Sequence, residues 1–183
     1  MKDKVLVFIP MYNCENQIGR VIDQFTGEIK NYIDEVIIIN NRSTDNGEEV
    51  VINKLKDLKI DLRIKLLRNN ENYGLGGSHK VAFKYAIENN FDYIIVLHGD
   101  DQGNISDFIS LLRNGTYKKY DCCLGARFMK GSKLIGYSTI RIWGNYGFNW
   151  LFSMVVRKKV YDLGSGLNLY SVESLKNEYY IKF

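Results

Sequence analysis

Short apolar runs and helically spaced apolar positions alternate along this chain. "KVLVFIP" (4–10) is a continuous run with β-branched residues and predicts a buried strand. "CENQIGRVIDQFTGEI" (14–29) sets Ile18, Val21, Ile22 and Phe25 at helical spacing. "DEVIIIN" (34–40) predicts a second buried strand. "STDNGEEVVINKL" (43–55) predicts a helix with capping residues ahead of it and acids in its first turn. "LRIKLLR" (62–68) alternates like a third strand, and "GGSHKVAFKYAIEN" (76–89) reads as a helix with Val81, Ala82, Tyr85 and Ala86 inward. "FDYIIVLHG" (91–99) is a fourth strand, "NISDFISLLR" (104–113) a helix started by Asn104 or Ser106, and "YDCCLGAR" (120–127) a further strand. Buried strands that alternate with helices predict an α/β fold, a mostly parallel central sheet with helices on both faces.

Ligands of such sheets bind beyond the carboxyl ends of the strands. The strands here end in "IPMYNCEN", "INNRSTD", "LHGDDQ" and "LGARF", so the unusual residues gather on one rim. Asp100 and Gln102 offer oxygen ligands to a hard cation such as Mg²⁺, which takes one or two carboxylates together with substrate phosphates. The competing reading is a solvated loop with Asp101 facing water. His98 lies two residues before Asp100 and shares its face in an extended segment, so it can reach the same ligand; a structural, hydrogen-bonded histidine is the alternative. "ENYGLGGSHK" (71–80) is a glycine-rich turn opening a helix, where free N–H groups can take phosphate. Gly76 and Lys80 are its candidates, although its spacing is not G-x-G-x-x-G and a plain turn also explains it. Arg127 and Arg141 suit bidentate phosphate recognition, with idle surface arginines as the alternative.

Composition narrows the class. The chain has 183 residues, 45% of them hydrophobic and 25% charged, as in a globular protein with a real core. A net charge of +4 does not argue for nucleic acid, and none is expected as a partner. Cys14, Cys122 and Cys123 have no metal spacing and cannot all pair, which favours a reducing compartment. The N-terminus lacks a signal-like apolar region, and no apolar run reaches the roughly 18 residues of a membrane span. "RIWGNYGFNWLFSMVVRKKV" (141–160) is apolar almost all round, carries two tryptophans and ends in a basic cluster. It reads as a helix with one face on the core and the other at a membrane surface or a partner.

These motifs, in this order, resemble glycosyltransferase family 2 with the GT-A (nucleotide-diphospho-sugar transferase) fold. The resemblance covers essentially the whole chain: "VFIPMYNCENQIGRVI", "VIIINNRSTD", "NENYGLGGSHKVAFKYA" and the D-x-D-like "DYIIVLHGDDQ". "GARF" at 125–128 and "DLGSGLNLYS" at 162–171 are most similar to the polyprenyl-phosphate (dolichyl-phosphate mannose synthase-like) transferases, which carry two arginines at the spacing of Arg127 and Arg141. No Q-x-x-R-W motif of processive synthases is present. The resemblance implies an inverting, metal-assisted transfer from a UDP- or GDP-linked sugar to a polyprenyl phosphate. Mg²⁺ or Mn²⁺ would be the cofactor.

It further implies that Pro10, Tyr12, Glu15 and Asn41 line the nucleotide pocket. Asp100 and Gln102 would bind metal and diphosphate, while Arg127 and Arg141 would hold the acceptor phosphate or the leaving diphosphate. If the acceptor is a sugar hydroxyl of a cell-surface glycan, a base is required, and Asp162 is the candidate. The departures are His98 for the first acid of D-x-D, Asn40 and Asn41 for two acids, Arg42 for a glycine, and Asn104 and Ile105 for the expected proline. They leave open a degenerate, non-catalytic nucleotide-binding module. The expectation is one catalytic domain over 1–183, with a C-terminal truncation as an open alternative because relatives often continue. Its expected place is the cytoplasm, with peripheral contact at the inner face of the cell membrane as a further option.

Overall fold

The computed structural model describes residues 2–58, 60–129, 131–132 and 138–177. Its elements run β1 (Val5–Met11), α1 (Glu15–Asp23), β2 (Glu35–Asn40), α2 (Gly47–Asp57), β3 (Arg63–Arg68) and α3 (Gly74–Glu88). They continue with β4 (Tyr93–Leu97), α4 (Ile109–Arg113), β5 (Cys122–Leu124), α5 (Thr139–Val156), β6 (Leu167–Ser171) and α6 (Val172–Leu175). Contacts divide the chain into two compact units, 1–123 with 166–183, and 124–165.

The first unit is built on the sheet, in the order β3-β2-β1-β4-β6-β5. β3, β2, β1 and β4 are parallel, and β6 lies antiparallel to β4. β1 and β2 are buried at every position, which is why their sequences do not alternate. Side chains alternate between faces. Val5, Val7, Ile9, Val36, Ile38 and Ile95 pack with Ile18, Val21, Ile22 and Phe25. Leu6, Phe8, Ile37, Ile39, Ile94 and Val96 pack with Ala82, Phe83 and Ala86 of α3 and Val172 of α6. Each fully buried aliphatic side chain contributes roughly 1.5–3 kcal/mol, so these two layers fix the register that aligns the strand ends.

Several boundaries differ from the sequence expectation. α1 ends at Asp23, and Gly27 in the left-handed region (φ +66°) turns the chain away. α2 starts at Gly47 because the preceding residues stitch the loop: Thr44 N–H donates to Asn13 Oδ1 (2.8 Å), and Asp45 accepts from Glu15 N–H (2.8 Å). α3 starts at Gly74, and its buried positions are Ser78, Ala82, Phe83 and Ala86. Val81 is therefore not inward but 36% exposed, one step off the 78-82-86 line. β6, an antiparallel strand, was not anticipated.

β3 carries no fully buried residue, and it answers Glu35 instead. Glu35, 4% exposed, pairs with Arg63 (3.1 Å) and Lys65 (2.9 Å) and accepts from the Tyr85 hydroxyl. A buried carboxylate needs such partners.

Candidate functional site

In the first unit the carboxyl ends of β1, β2 and β4 meet the start of α3 around a cavity of about 270 Å³. β1 supplies Pro10 and, just past its end, Tyr12, which is 50% exposed. Asn41 closes one side, Asn72, Leu75 and Ser78 a second, and His98 and Asp100 a third.

The polar network behind this wall explains the two amides. Asn41 is 4% exposed; its carbonyl accepts from Asn69 Nδ2 (2.8 Å) and Tyr73 N–H (3.0 Å), and its Nδ2 donates to Asn72 Oδ1 (2.7 Å). Asn69 also donates to Ser78 Oγ (3.1 Å). A carboxylate at 41 has no hydrogen to give Asn72. With both lone-pair directions of the Asn41 carbonyl taken, an N–H is what this side chain can offer a ligand. Asn40 donates to the Glu48 carboxylate and accepts from Ser43 N–H (2.8 Å). An acid at 40 would face Glu48 as a like charge.

The β4 end is held closely. His98 N–H donates to Gly166 O (2.8 Å), and a Cβ on Gly166 would sit 3.0 Å from the His98 Cβ and Cγ. The His98 ring meets His79 edge-on (6.1 Å), and His79 packs the same way on Phe8 (5.3 Å) and Phe83 (5.9 Å). Burial lowers the His79 pKa against the smaller upward pull of the Leu75 carbonyl. A Cβ on Gly99 would lie 2.8 Å from Pro10 O, so the backbone sits flush on β1. The exposed Asp100 carboxylate accepts from Gln102 N–H (3.2 Å).

Other expected residues fall elsewhere. Glu15 does not line the cavity; its carboxylate accepts from Asn46 N–H (2.8 Å) and ties the two strand-end loops together. Gly76 and Lys80 lie on the same helix start but outside the lining, where Gly74 and Leu75 stand instead. Asp101 does not simply face water: Arg20 Nε reaches its carboxylate at 2.7 Å. Cys14, Asn72, Leu75 and Ser78 were missed. The last three sit in the glycine-rich motif, and as uncharged side chains they carry no local pattern that marks a cavity wall. Cys14 is 6% exposed, and burial pushes its thiol up to about 11, so it is no nucleophile near neutral pH.

The second unit holds Arg127 and Asp162. Arg127 Nε and Nη2 donate to Asp162 Oδ2 (2.6 Å) and Oδ1 (2.9 Å), and the backbone N–H groups of Arg127 (3.0 Å) and Gly164 (2.9 Å) donate to the same carboxylate. Burial raises the Asp162 pKa, but these hydrogen bonds outweigh it and the net shift is downward. Asp162 is thus a fully engaged anchor for Arg127, the reverse of a poised base. Arg141 lies in α5, and its side chain is outside the described residues. α5 buries Asn149, whose Nδ2 donates to Tyr161 O (2.8 Å), while Trp143 (72%) and Trp150 (65%) are exposed. Among the described residues no helix is long and apolar enough to cross a membrane.

The residues present fit a divalent cation of one kind. Among the described residues no three His, Cys, Asp or Glu side chains converge into a self-sufficient metal site. Asp100 with Gln102 suits an ion that completes its shell with phosphate oxygens.

Residues 6–178 match the model of glycosyl transferase family 2. The chain is 26% identical over 176 residues to an uncharacterized protein of Methanocaldococcus jannaschii, covering 96% of this chain and 68% of that one. It is 23% identical over 190 residues to a UDP-N-acetylglucosamine–dolichyl-phosphate N-acetylglucosaminyltransferase of Methanococcus voltae, covering 96% and 73%. A mannosyltransferase from Pyrobaculum calidifontis, solved in complex with GDP-Man and Mn²⁺, matches with a TM-score of 0.65 at 15% identity. That match covers 98% of this chain and 47% of the other, so the chain spans about half the length of that structure. The likeness shows the GT-A fold.

Proposed function

The chain belongs to glycosyl transferase family 2, and we propose that it moves a sugar from a nucleotide-diphosphate sugar to a polyprenyl phosphate. The observation that carries the donor half is the cavity shared by Tyr12, Asn41, His98 and Asp100 at the ends of three parallel strands. Tyr12 offers a ring for a base, and Asn41 offers an N–H to a base carbonyl or ribose oxygen. Asp100 and Gln102 would hold Mg²⁺ or Mn²⁺, with His98 against the same diphosphate. When bound, the cation neutralises charge developing on the leaving diphosphate.

The acceptor half rests on a chemical argument. A phosphate is already anionic near neutral pH and needs no base, whereas a sugar hydroxyl does. Engagement of Asp162 by Arg127 therefore favours phosphate, and Arg127 and Arg141 are the proposed phosphate-recognising groups of the second unit. The relative from Methanococcus voltae, by its name, uses such an acceptor. The lipid tail implies work at a membrane surface. Residues 122–161 contain seven Lys and Arg and no Asp or Glu, which complements anionic headgroups at the inner face of the membrane.

Donor binding is tested by thermal shift with UDP or GDP and Mn²⁺. Saturation at about 100 times the dissociation constant stabilises by roughly 2.7 kcal/mol; no shift with either nucleotide, with or without metal, overturns the donor assignment. Turnover with a polyprenyl phosphate should vanish in Asp100→Asn. Arg127→Lys should raise the KM for polyprenyl phosphate, and unchanged kinetics would remove the phosphate-acceptor reading.

A further inference from the structure

Asp100 stands between two backbone anchors. On one side Gly99 lies flush on Pro10. On the other, Asp101 adopts φ +61°, a left-handed conformation that costs a non-glycine residue on the order of 1–3 kcal/mol. Such a conformation persists only when its surroundings hold it. Here α1 and its C-cap do the holding, through Arg20 and the cap residue Gln24, which stand four residues apart on one side of the helix end. Arg20 Nε donates to Asp101 Oδ2 (2.7 Å), and Gln24 Nε2 donates to Asp101 Oδ1 (3.2 Å) and Gly103 O (3.1 Å). Gln24 Oε1 accepts from Ile105 N–H (2.9 Å). The loop is thus gripped at 101, 103 and 105, immediately beyond Asp100 and around Gln102. The Arg20 side chain is 62% exposed, so the ion pair adds little to global stability. Its consequence is geometric.

We propose that Arg20, Gln24 and Asp101 form a positioning clasp that holds Asp100 and Gln102 in metal-binding geometry. None of the three touches the metal or the donor. The inference rests on the assignment of the cation to Asp100. Without the clasp the loop relaxes out of the left-handed turn, and the two ligands must be reordered each time the ion binds.

The test is direct binding of Mn²⁺ in the presence of UDP or GDP, with free Mn²⁺ counted by electron paramagnetic resonance. Loss of a group that orients a metal ligand weakens affinity roughly 10–100-fold, and Asp101→Ala should fall in that range. Its kcat at saturating Mn²⁺ should stay within about threefold of wild type, because the ligands themselves are intact. Asp101→Asn, which keeps the bond from Gln24 and tolerates the left-handed turn, should recover part of the affinity. Asp101→Gly accepts the turn without strain but has no carboxylate, so it should be as weak as Asp101→Ala. Arg20→Ala/Asp101→Ala should be no weaker than Asp101→Ala alone, since both remove one interaction. Wild-type affinity in Asp101→Gly or Asp101→Ala, with binding lost in Asp100→Asn, overturns the clasp alone. Unchanged binding in Asp100→Asn overturns the metal assignment and the clasp with it. Thermal midpoints without metal should match wild type within a few degrees, and a drop that parallels the affinity loss assigns the effect to folding and overturns positioning.

Discussion

Ile38 and Phe8 of the sheet unit are fully buried, while Asp100 lies open at the rim; in the 124–165 unit it is Asn149 that is buried and Trp143 that is 72% exposed. Ile140 (86%) and Val155 (74%) share the outward position of Trp143. Among the described residues of this second unit, polar contacts stand beside the edge-on packing of Phe128 on Tyr146 (5.2 Å). Arg127 is clamped by Asp162, and Ser153 Oγ donates to Asn149 O (2.6 Å) and accepts from Val160 N–H (2.9 Å). A helix that presents its apolar residues outward is suited to an apolar medium rather than to water alone. The sheet unit turns its apolar residues inward, and the second unit leaves apolar residues of α5 exposed, the side that the proposed membrane contact would use.

Two substitutions probe the opposite interiors, and they have the largest expected effects. Arg127→Ala leaves a fully buried carboxylate without its partner and should destabilise its unit by about 3–5 kcal/mol, read by urea denaturation at pH 7. The pH dependence has a definite sign. The Asp162 pKa is depressed on folding, so its contribution is complete above the ordinary value of 3.8 and is lost as pH falls through the lower folded value. The stability gap between wild type and Asp162→Asn should therefore narrow below 3.8; a constant gap would show that the charge is not what holds Arg127. In the sheet unit, Ile38→Ala should cost about 2–5 kcal/mol through lost burial and a residual cavity, with little dependence on pH. A cost below about 0.5 kcal/mol would mean that the layers around α1 do not set the strand ends.

Asn41→Asp sharpens the comparison at the rim. It restores the acid that the family resemblance places there, yet here it removes the donor to Asn72. The expected cost is about 1–3 kcal/mol, with UDP or GDP binding weakened or unchanged. Tighter nucleotide binding at unchanged stability would show that the amide network is incidental.

The sheet unit was the more legible of the two because its central strands, β1 and β2, are buried at every position. A continuous apolar run such as "VIIIN" admits few other placements, and the positions of Ile18, Val21, Ile22 and Phe25 follow from helical spacing alone. Asp100 and His98 were placed on the rim because they stand where such a run stops, whereas Tyr12 and Asn41 were placed there by the family resemblance; all four line the cavity. Glu15, Asp101 and Asp162 were not legible, because the role of each depends on a partner 31, 81 or 35 residues away. Local pattern carries no record of such pairs. β6 escaped because five residues with small and polar neighbours give a weak period, and its antiparallel direction comes from pairing with β4.

The smallest expected change in stability separates the two units most sharply. Trp143→Ala and Trp150→Ala remove the largest side chains of α5, and in the sheet unit a truncation of that size would cost about 3–5 kcal/mol. At 72% and 65% exposure these two should shift stability by no more than about 0.5 kcal/mol. Co-sedimentation with vesicles containing phosphatidylglycerol should nevertheless fall, because an indole at the headgroup level contributes to binding only when lipid is present. Replacing Arg157, Lys158 and Lys159 with Gln should weaken the same co-sedimentation by about 1 kcal/mol per charge, and raised salt should mimic it in wild type. A core-sized loss of stability in either tryptophan variant would mean that protein, not lipid, covers this face. Equal sedimentation of wild type and variants with anionic vesicles would remove the boundary role of α5 and leave its exposed apolar side without a partner.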